Sequence, residues 1–184
     1  MTSGAGSYGV LSEFKAEILN SFVISHSIGS VIEFGCGDGN QLQLAAYPSY
    51  LGLDVSKTAI DRCRDRFEAD DTKSFLWYDP ARTINIANFL EADLTLSLDV
   101  IYHLVEDDIY RRYLRDLFST SRRFVIIYSS NGEERSTAPH VRHRLFSADV
   151  TRDFHEFRLI NRIANRYPEQ SFCSFFMYER TEAR

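Results

Sequence analysis

The chain has 184 residues, 44% of them hydrophobic, enough for one globular domain that buries about two-thirds of the surface its unfolded form exposes. With 21 Lys and Arg against 26 Asp and Glu the formal net charge is −5, which argues against a dedicated nucleic-acid surface. No apolar run approaches membrane-spanning length, and the start MTSGAGSYG lacks the layout of a signal peptide. Cys36, Cys63 and Cys173, widely spaced and odd in number, suit reduced thiols in a cytoplasmic protein better than a disulfide frame or a metal site.

The first nine residues are small and polar and are expected to fray. Leu11 to about Ile24 reads as an amphipathic helix. Val31, Ile32 and Phe34 form an apolar run too brief for a helix, so a buried parallel strand is predicted. Gly35, Gly37 and Gly39 follow, and Asn40-Gln41-Leu42 opens a predicted helix. A second apolar run, Tyr50 to Leu53, closes on Asp54, nineteen residues after Gly35. Ser56 is a plausible N-cap for a helix to Phe67, with Ile60, Cys63 and Phe67 on its inner face.

Ser74 to Tyr78 is a third strand, ended by Asp79-Pro80, and 81–92 reads as loop with a helical turn. Asp93 to Ser97 alternates as a fourth strand. Glu106 and Asp107 suit the N-terminal end of a helix whose apolar face is Ile109, Tyr110, Tyr113, Leu114, Leu117 and Phe118. Phe124 to Tyr128 (FVIIY) is a buried strand. A helix near Ser147–His155 precedes strands Phe157–Arg166 and Ser171–Tyr178. Only Pro168-Glu169-Gln170 separates these two, too short a link for a parallel crossover, so they pair antiparallel. The expected fold class is α/β, a mostly parallel, seven-stranded, doubly wound sheet with a C-terminal antiparallel hairpin strand.

The glycine loop is the most informative feature. Glycine is needed where φ is positive or where backbone must lie against a ligand with no Cβ in the way. A dinucleotide fingerprint, G-x-G-x-x-G, would require glycine at position 40, where Asn40 stands. No Gly-Lys-Ser/Thr follows either, so a phosphate-cradling loop is absent. Close backbone approach without a phosphate cradle suits a nucleoside lacking phosphates. Asp54, at the end of the next strand, is placed to accept hydrogen bonds from both ribose hydroxyls.

In Glu33-Phe34-Gly35-Cys36-Gly37-Asp38-Gly39 the chain resembles the class I S-adenosylmethionine-dependent methyltransferases, whose first motif is acid-x-Gly-x-Gly-x-Gly. The order of predicted elements extends the resemblance over nearly the whole chain, read as a single methyltransferase domain, 1–184, with the helix at about 11–24 covering the cofactor site. The resemblance implies S-adenosyl-L-methionine as cofactor, held by Glu33, Gly35, Cys36, Gly37, Gly39, Asp54, Val55, Asp79 and Leu98. Asp79 would meet the adenine amino group, and Leu98 and Asp99 would pass beside the methionine part. The alternatives are that Asp79-Pro80 merely starts a turn and that Asp99 caps one.

His103 and Asp99 are the catalytic candidates. Methyl transfer from a sulfonium needs alignment and exclusion of water, and a base only where the acceptor must lose a proton. His103 lies near the mouth of the fourth strand, and histidine is the residue type most often suited to general-base work, though a structural role suits it as well. Residues Ser129 to Phe146 form a long link in which His140, Arg142, His143 and Arg144 cluster. Positive charge over a cofactor mouth suits an anionic small-molecule or saccharide acceptor, and a solvated charge run is the alternative. The absence of an Asn-Pro-Pro-Tyr-like motif after the fourth strand favours oxygen as the atom methylated. The HVRHR segment resembles small methyltransferases associated with bacterial surface-sugar pathways. A non-catalytic S-adenosylmethionine-binding partner or sensor is the competing reading. No metal, nucleic-acid or membrane partner is expected.

Overall fold

The structure, a computed structural model, describes residues 6, 8–81, 89–133, 136 and 138–181. Most of the predicted 81–92 loop and most of the N-terminal residues expected to fray lie outside them. The elements are helix α1 (Gly9–Ser25), strand β1 (Val31–Phe34), strand β2 (Tyr50–Asp54), helix α2 (Lys57–Arg66), strand β3 (Lys73–Trp77), strand β4 (Ala92–Leu98), helix α3 (Asp107–Ser119), strand β5 (Ser121–Ser129), helix α4 (Phe146–Asp153), strand β6 (Phe157–Ala164) and strand β7 (Ser174–Arg180). They build a seven-stranded sheet in the order β3-β2-β1-β4-β5-β7-β6, parallel except for β7, which runs antiparallel to both its neighbours.

The central strands bury both faces, which is why they read as near-continuous apolar runs. Phe124, Ile126 and Tyr128 of β5 pack with Phe14, Leu19 and Phe22 of α1 and Ile60 and Cys63 of α2. Val125 and Ile127 face the other way, onto Tyr110, Tyr113, Leu117 and Phe118 of α3 and Phe146 and Val150 of α4. Ser56 caps α2 as expected, its Oγ accepting from the Ala59 amide at 3.3 Å.

Two expectations change. The helix expected to open at Asn40 is only a short 3-10 turn, Gln41–Leu44, and the chain then runs irregularly to β2. The glycine loop takes up the start of this link, and the remainder must return from the carboxyl end of β1 to the amino end of β2. A helix advances only about 1.5 Å per residue, whereas extended chain covers that span. The hairpin link is longer than expected: β6 ends at Ala164 rather than Arg166, and the last strand begins at Ser174 rather than Ser171, because 171–173 turn aside to line a cleft.

Sheet order reverses between β1 and β4, and in open α/β sheets ligands bind beyond the carboxyl ends of the strands at such a switch point. The Phe34–Leu53 and Phe34–Ser97 pairings put Gly35, Asp54 and Leu98 side by side at that edge.

Candidate functional site

A cleft of about 460 Å³ opens at the switch point, and the structure gathers Glu33, Gly35, Cys36, Gly37, Leu98, Asp99 and His103 around it. Leu11 and Lys15 of α1 close one side, and Ser171 to Cys173 close another. Gly35, Gly37 and Gly39 have φ of +85°, +59° and +75°, so the loop bends in a way that side-chain-bearing residues rarely adopt. At Gly35 a Cβ would also stand 2.4 Å from Val100 Cγ2, which locks β1's exit against the segment after β4.

The other expected cofactor residues stand beside the cleft rather than on its surface. Asp54 accepts from the Gly37 amide at 2.9 Å and, through its other oxygen, from the Ser56 amide at 2.8 Å, so it pins the glycine loop. Gly39 packs over Phe67 and Cys63. Val55 is exposed and its carbonyl accepts from Trp77 Nε1. Asp79 accepts from the Ala81 amide in a local turn. The Cys36 thiol is pushed far up by its hydrogen bond with Cys63 and by burial, which removes it as a thiolate nucleophile.

The electrostatic centre of the cleft is a residue that the sequence reading did not single out. Lys15 Nζ, on a side chain only 1% exposed, lies 2.8 Å from Asp99 Oδ2. Its signal was a lysine in the i, i+4 stripe Leu11–Lys15–Leu19, where a core-facing helix should carry an apolar residue. Asp99 has φ +59°, donates its amide to the Tyr128 carbonyl, and accepts from Tyr102 Oη at 3.1 Å. Burial and the Asp99 charge push the Tyr102 hydroxyl well above the ordinary tyrosine range. They push the Cys173 thiol up to about 12. Gly6 lies so close to Asp99 that a Cβ there would be 2.6 Å from Oδ2.

Glu33 is buried at the base of the cleft and accepts from Tyr50 Oη at 2.6 Å. Burial raises its carboxyl to about 7, against the pull of the Tyr50 hydrogen bond and the Lys15 charge. Gln41 also lines the cleft. Its Nε2 donates to the Ser12 carbonyl, while its Oε1 is buried with no partner among the described residues. An orphaned acceptor of this kind costs about 1–3 kcal/mol unless a ligand satisfies it.

The 138–145 segment lies over the residues that follow β4. Arg144, 9% exposed in its side chain, reaches Asp107 at 2.7 Å, donates to the Leu104 and Val105 carbonyls, and stacks over Tyr110. Arg142 lies 3.1 Å from the same carboxylate and donates to Val105 O. Both guanidinium groups therefore hold the segment down, and Arg144 above all keeps the Asp107 carboxyl below its ordinary range. Val141, not an arginine, reaches the cleft. His103 is exposed at its rim, with Nδ1 3.3 Å from the His140 carbonyl and its ring stacked on His140. His143 is turned toward Ser130, 2.8 Å away. No group of three or more His, Cys, Asp or Glu is placed to hold a metal among the described residues. None of their helices is long and apolar enough to cross a membrane.

A glycine loop at the β1–β4 switch of a sheet with one reversed strand defines the Rossmann-like methyltransferase fold. Solved structures agree. NodS, an N-methyltransferase from Bradyrhizobium japonicum WM9 in complex with S-adenosyl-L-homocysteine, superposes with a TM-score of 0.75 at 16% identity, over 94% of this chain and 88% of that one. The methyltransferase domain of bacterial CtHen1 gives 0.71 at 17% identity, over 91% and 97% of the two chains. Magnesium protoporphyrin IX methyltransferase ChlM from Synechocystis PCC 6803, with bound S-adenosyl-L-homocysteine, gives 0.70 at 14% identity, over 92% and 83%. No protein-family model and no curated protein sequence matches the chain. At these identities the likeness is one of fold, and the acceptors of those three proteins do not transfer with it.

Proposed function

We propose that the protein is an S-adenosyl-L-methionine-dependent methyltransferase acting on a small molecule or saccharide. The observation that carries this reading is the set of polar groups lining the cleft. Its base presents the buried Glu33 carboxyl and the orphaned Gln41 Oε1, and its wall presents the Lys15 ammonium. The amino-acid end of the cofactor is a zwitterion. Its ammonium would donate to Gln41 Oε1 and Glu33, and its carboxylate would face Lys15. The glycine backbone leaves room for the nucleoside, and Asp54, whose carboxylate oxygens each retain a lone pair beyond their amide bonds, is assigned to the ribose.

When bound, the cofactor supplies a methyl group on a positively charged sulfur, which leaves with the C–S bonding pair as the acceptor's lone pair forms the new bond. The chain's own residues align and desolvate that exchange. Leu11, Leu98, Val141 and Phe172 give the cleft its apolar walls. Asp99, committed to Lys15 and Tyr102, acts as a positioning residue that orients both side chains. His103, exposed at the rim, takes the proton when the acceptor is a hydroxyl. His140 sets the His103 ring, and Arg142 and Arg144 hold the covering segment through Asp107. Oxygen is the proposed acceptor atom.

Calorimetry with S-adenosyl-L-methionine, S-adenosyl-L-homocysteine and NAD tests the reading. Both sulfur compounds should bind and NAD should not. Asp54→Ala should weaken the former by about 1–3 kcal/mol through loss of charge-assisted bonds. Binding of NAD alone overturns the assignment, and tight cofactor binding without methyl transfer to any hydroxylated acceptor would favour a sensor.

A further inference from the structure

A second cavity, of about 330 Å³, opens where β5 ends, beside the hairpin of β6 and β7. Ser129, Ser130, Asn131, His143 and Arg162 line it, and Phe172, 68% exposed, lines both this cavity and the cofactor cleft. We propose that it is the anion subsite of the acceptor, holding a carboxylate or phosphate carried by a hydroxylated molecule whose nucleophile reaches past Phe172 toward His103. The inference rests on the methyl-transfer reading above and extends it to the class of acceptor.

Three features of the lining point to an anion. Ser129 lines the cavity, and its Oγ is buried, the residue 1% exposed, with no hydrogen-bond partner among the described residues, so an anion seated here would supply the acceptor it lacks. Arg162 projects from the edge strand β6, its guanidinium 5.2 Å from the Phe176 ring centroid, and no carboxylate among the described residues pairs with it. It contrasts with Arg142 and Arg144, which both pair with the Asp107 carboxylate. His143 is fixed by Ser130 at Nδ1 and stands edge-on to Phe172 with ring centroids 5.0 Å apart. Its other ring nitrogen makes no hydrogen bond among the described residues.

A hydroxyl, a guanidinium and an imidazole around one cavity, with Asn131 already engaged by Ser147, form a donor-rich and acceptor-poor set. Such a set selects negative charge. Phe172, shared with the cofactor cleft, gives the apolar face of a sugar ring a surface to lie on between the two sites.

The test uses the full chain, titrated first with S-adenosyl-L-homocysteine and saturated with it where it binds. Glucuronate, glucose 1-phosphate and uncharged glucose are titrated by calorimetry and by following the imidazole resonances of His143. At least one charged sugar should bind and shift His143, and glucose should not; which charged sugar binds separates carboxylate from phosphate. Arg162→Gln should weaken that binding by about tenfold or more while leaving S-adenosyl-L-homocysteine affinity unchanged. Ser129→Ala removes a hydroxyl with no hydrogen bond among the described residues, so it should weaken sugar binding without lowering the melting temperature. Equal binding of glucose, no binding of any of the three, or full affinity in Arg162→Gln would overturn the subsite. If the charged sugar shifts His143 but S-adenosyl-L-homocysteine does not bind, the subsite stands and the methyl-transfer reading falls. If the cofactor binds and no anion reaches His143, only this proposal falls.

Discussion

Lys15 and Asp99, 84 residues apart in sequence, meet as an ion pair at 2.8 Å that joins the N-terminal helix to the end of β4. The lysine side chain is 1% exposed and the aspartate 19%, so neither partner can easily regain the water it gave up on folding. Breaking such a pair leaves an uncompensated buried charge.

Lys15→Met should therefore destabilise the fold by about 3 kcal/mol, the low end for a broken buried pair because Asp99 keeps some solvent and its Tyr102 bond. The double variant Lys15→Met/Asp99→Asn should recover much of that loss. Urea denaturation of the two single variants and the double one measures the coupling, and a value under about 0.5 kcal/mol would mean that the contact contributes little.

Glu33 makes stability depend on pH. Its carboxyl rises from 4.5 to about 7 on folding. The folded state thus holds this proton more tightly than the unfolded chain does. The resulting contribution is complete below about pH 4.5 and is lost as pH rises through about 7, a decline on the order of 3 kcal/mol. Glu33→Gln keeps an acceptor for Tyr50 and does not titrate, so its stability should change much less between about pH 5 and pH 8. An undiminished pH dependence in this variant would assign the titration to another group.

Two glycines with positive φ separate backbone strain from steric contact. Gly9 (φ +58°) has no atom within 4 Å of an added Cβ, whereas Gly35 (φ +85°) would meet Val100 at 2.4 Å. Gly9→Ala should cost about 1 kcal/mol, from the left-handed backbone alone. Gly35→Ala should cost about 3 kcal/mol or more, since overpacking adds to the strain, and should distort the cleft. Thermal melts compare them directly, and equal shifts would refute the close packing of Val100.

Arg144→Met should free the 138–145 segment. The variant loses the Asp107 pair and leaves the Leu104 and Val105 carbonyls without this donor, a cost of about 1–3 kcal/mol. Amide exchange at Arg142, whose N–H donates to the Tyr102 carbonyl, should accelerate. Arg142→Gln, at a side chain 45% exposed, should change stability by less than about 1 kcal/mol. A larger effect from Arg142 than from Arg144 would reverse their assigned roles.

Local patterns determined most of the architecture. The FVIIY run, the G-x-G-x-G bend and the short link around Pro168–Gln170, which spans 165–173 in the structure, each constrain the backbone locally, and that range suffices to establish the sheet and its reversed strand. Asp54's place at the end of β2 was legible for the same reason, because strand periodicity locates an edge. Only the tertiary structure decided which side chains share a cleft. Lys15, Gln41, Tyr102 and Phe172 come from four separate segments, and nothing in their own neighbourhoods marks them as cleft residues apart from the misplaced charge of Lys15. The arginines of the HVRHR segment looked available because charge in a sequence carries no partner. Asp107, brought to them by the fold, pairs with both, while Arg162 on a distant strand pairs with no carboxylate among the described residues. Coulomb attraction and burial act through space, so they become readable only once packing has set the distances.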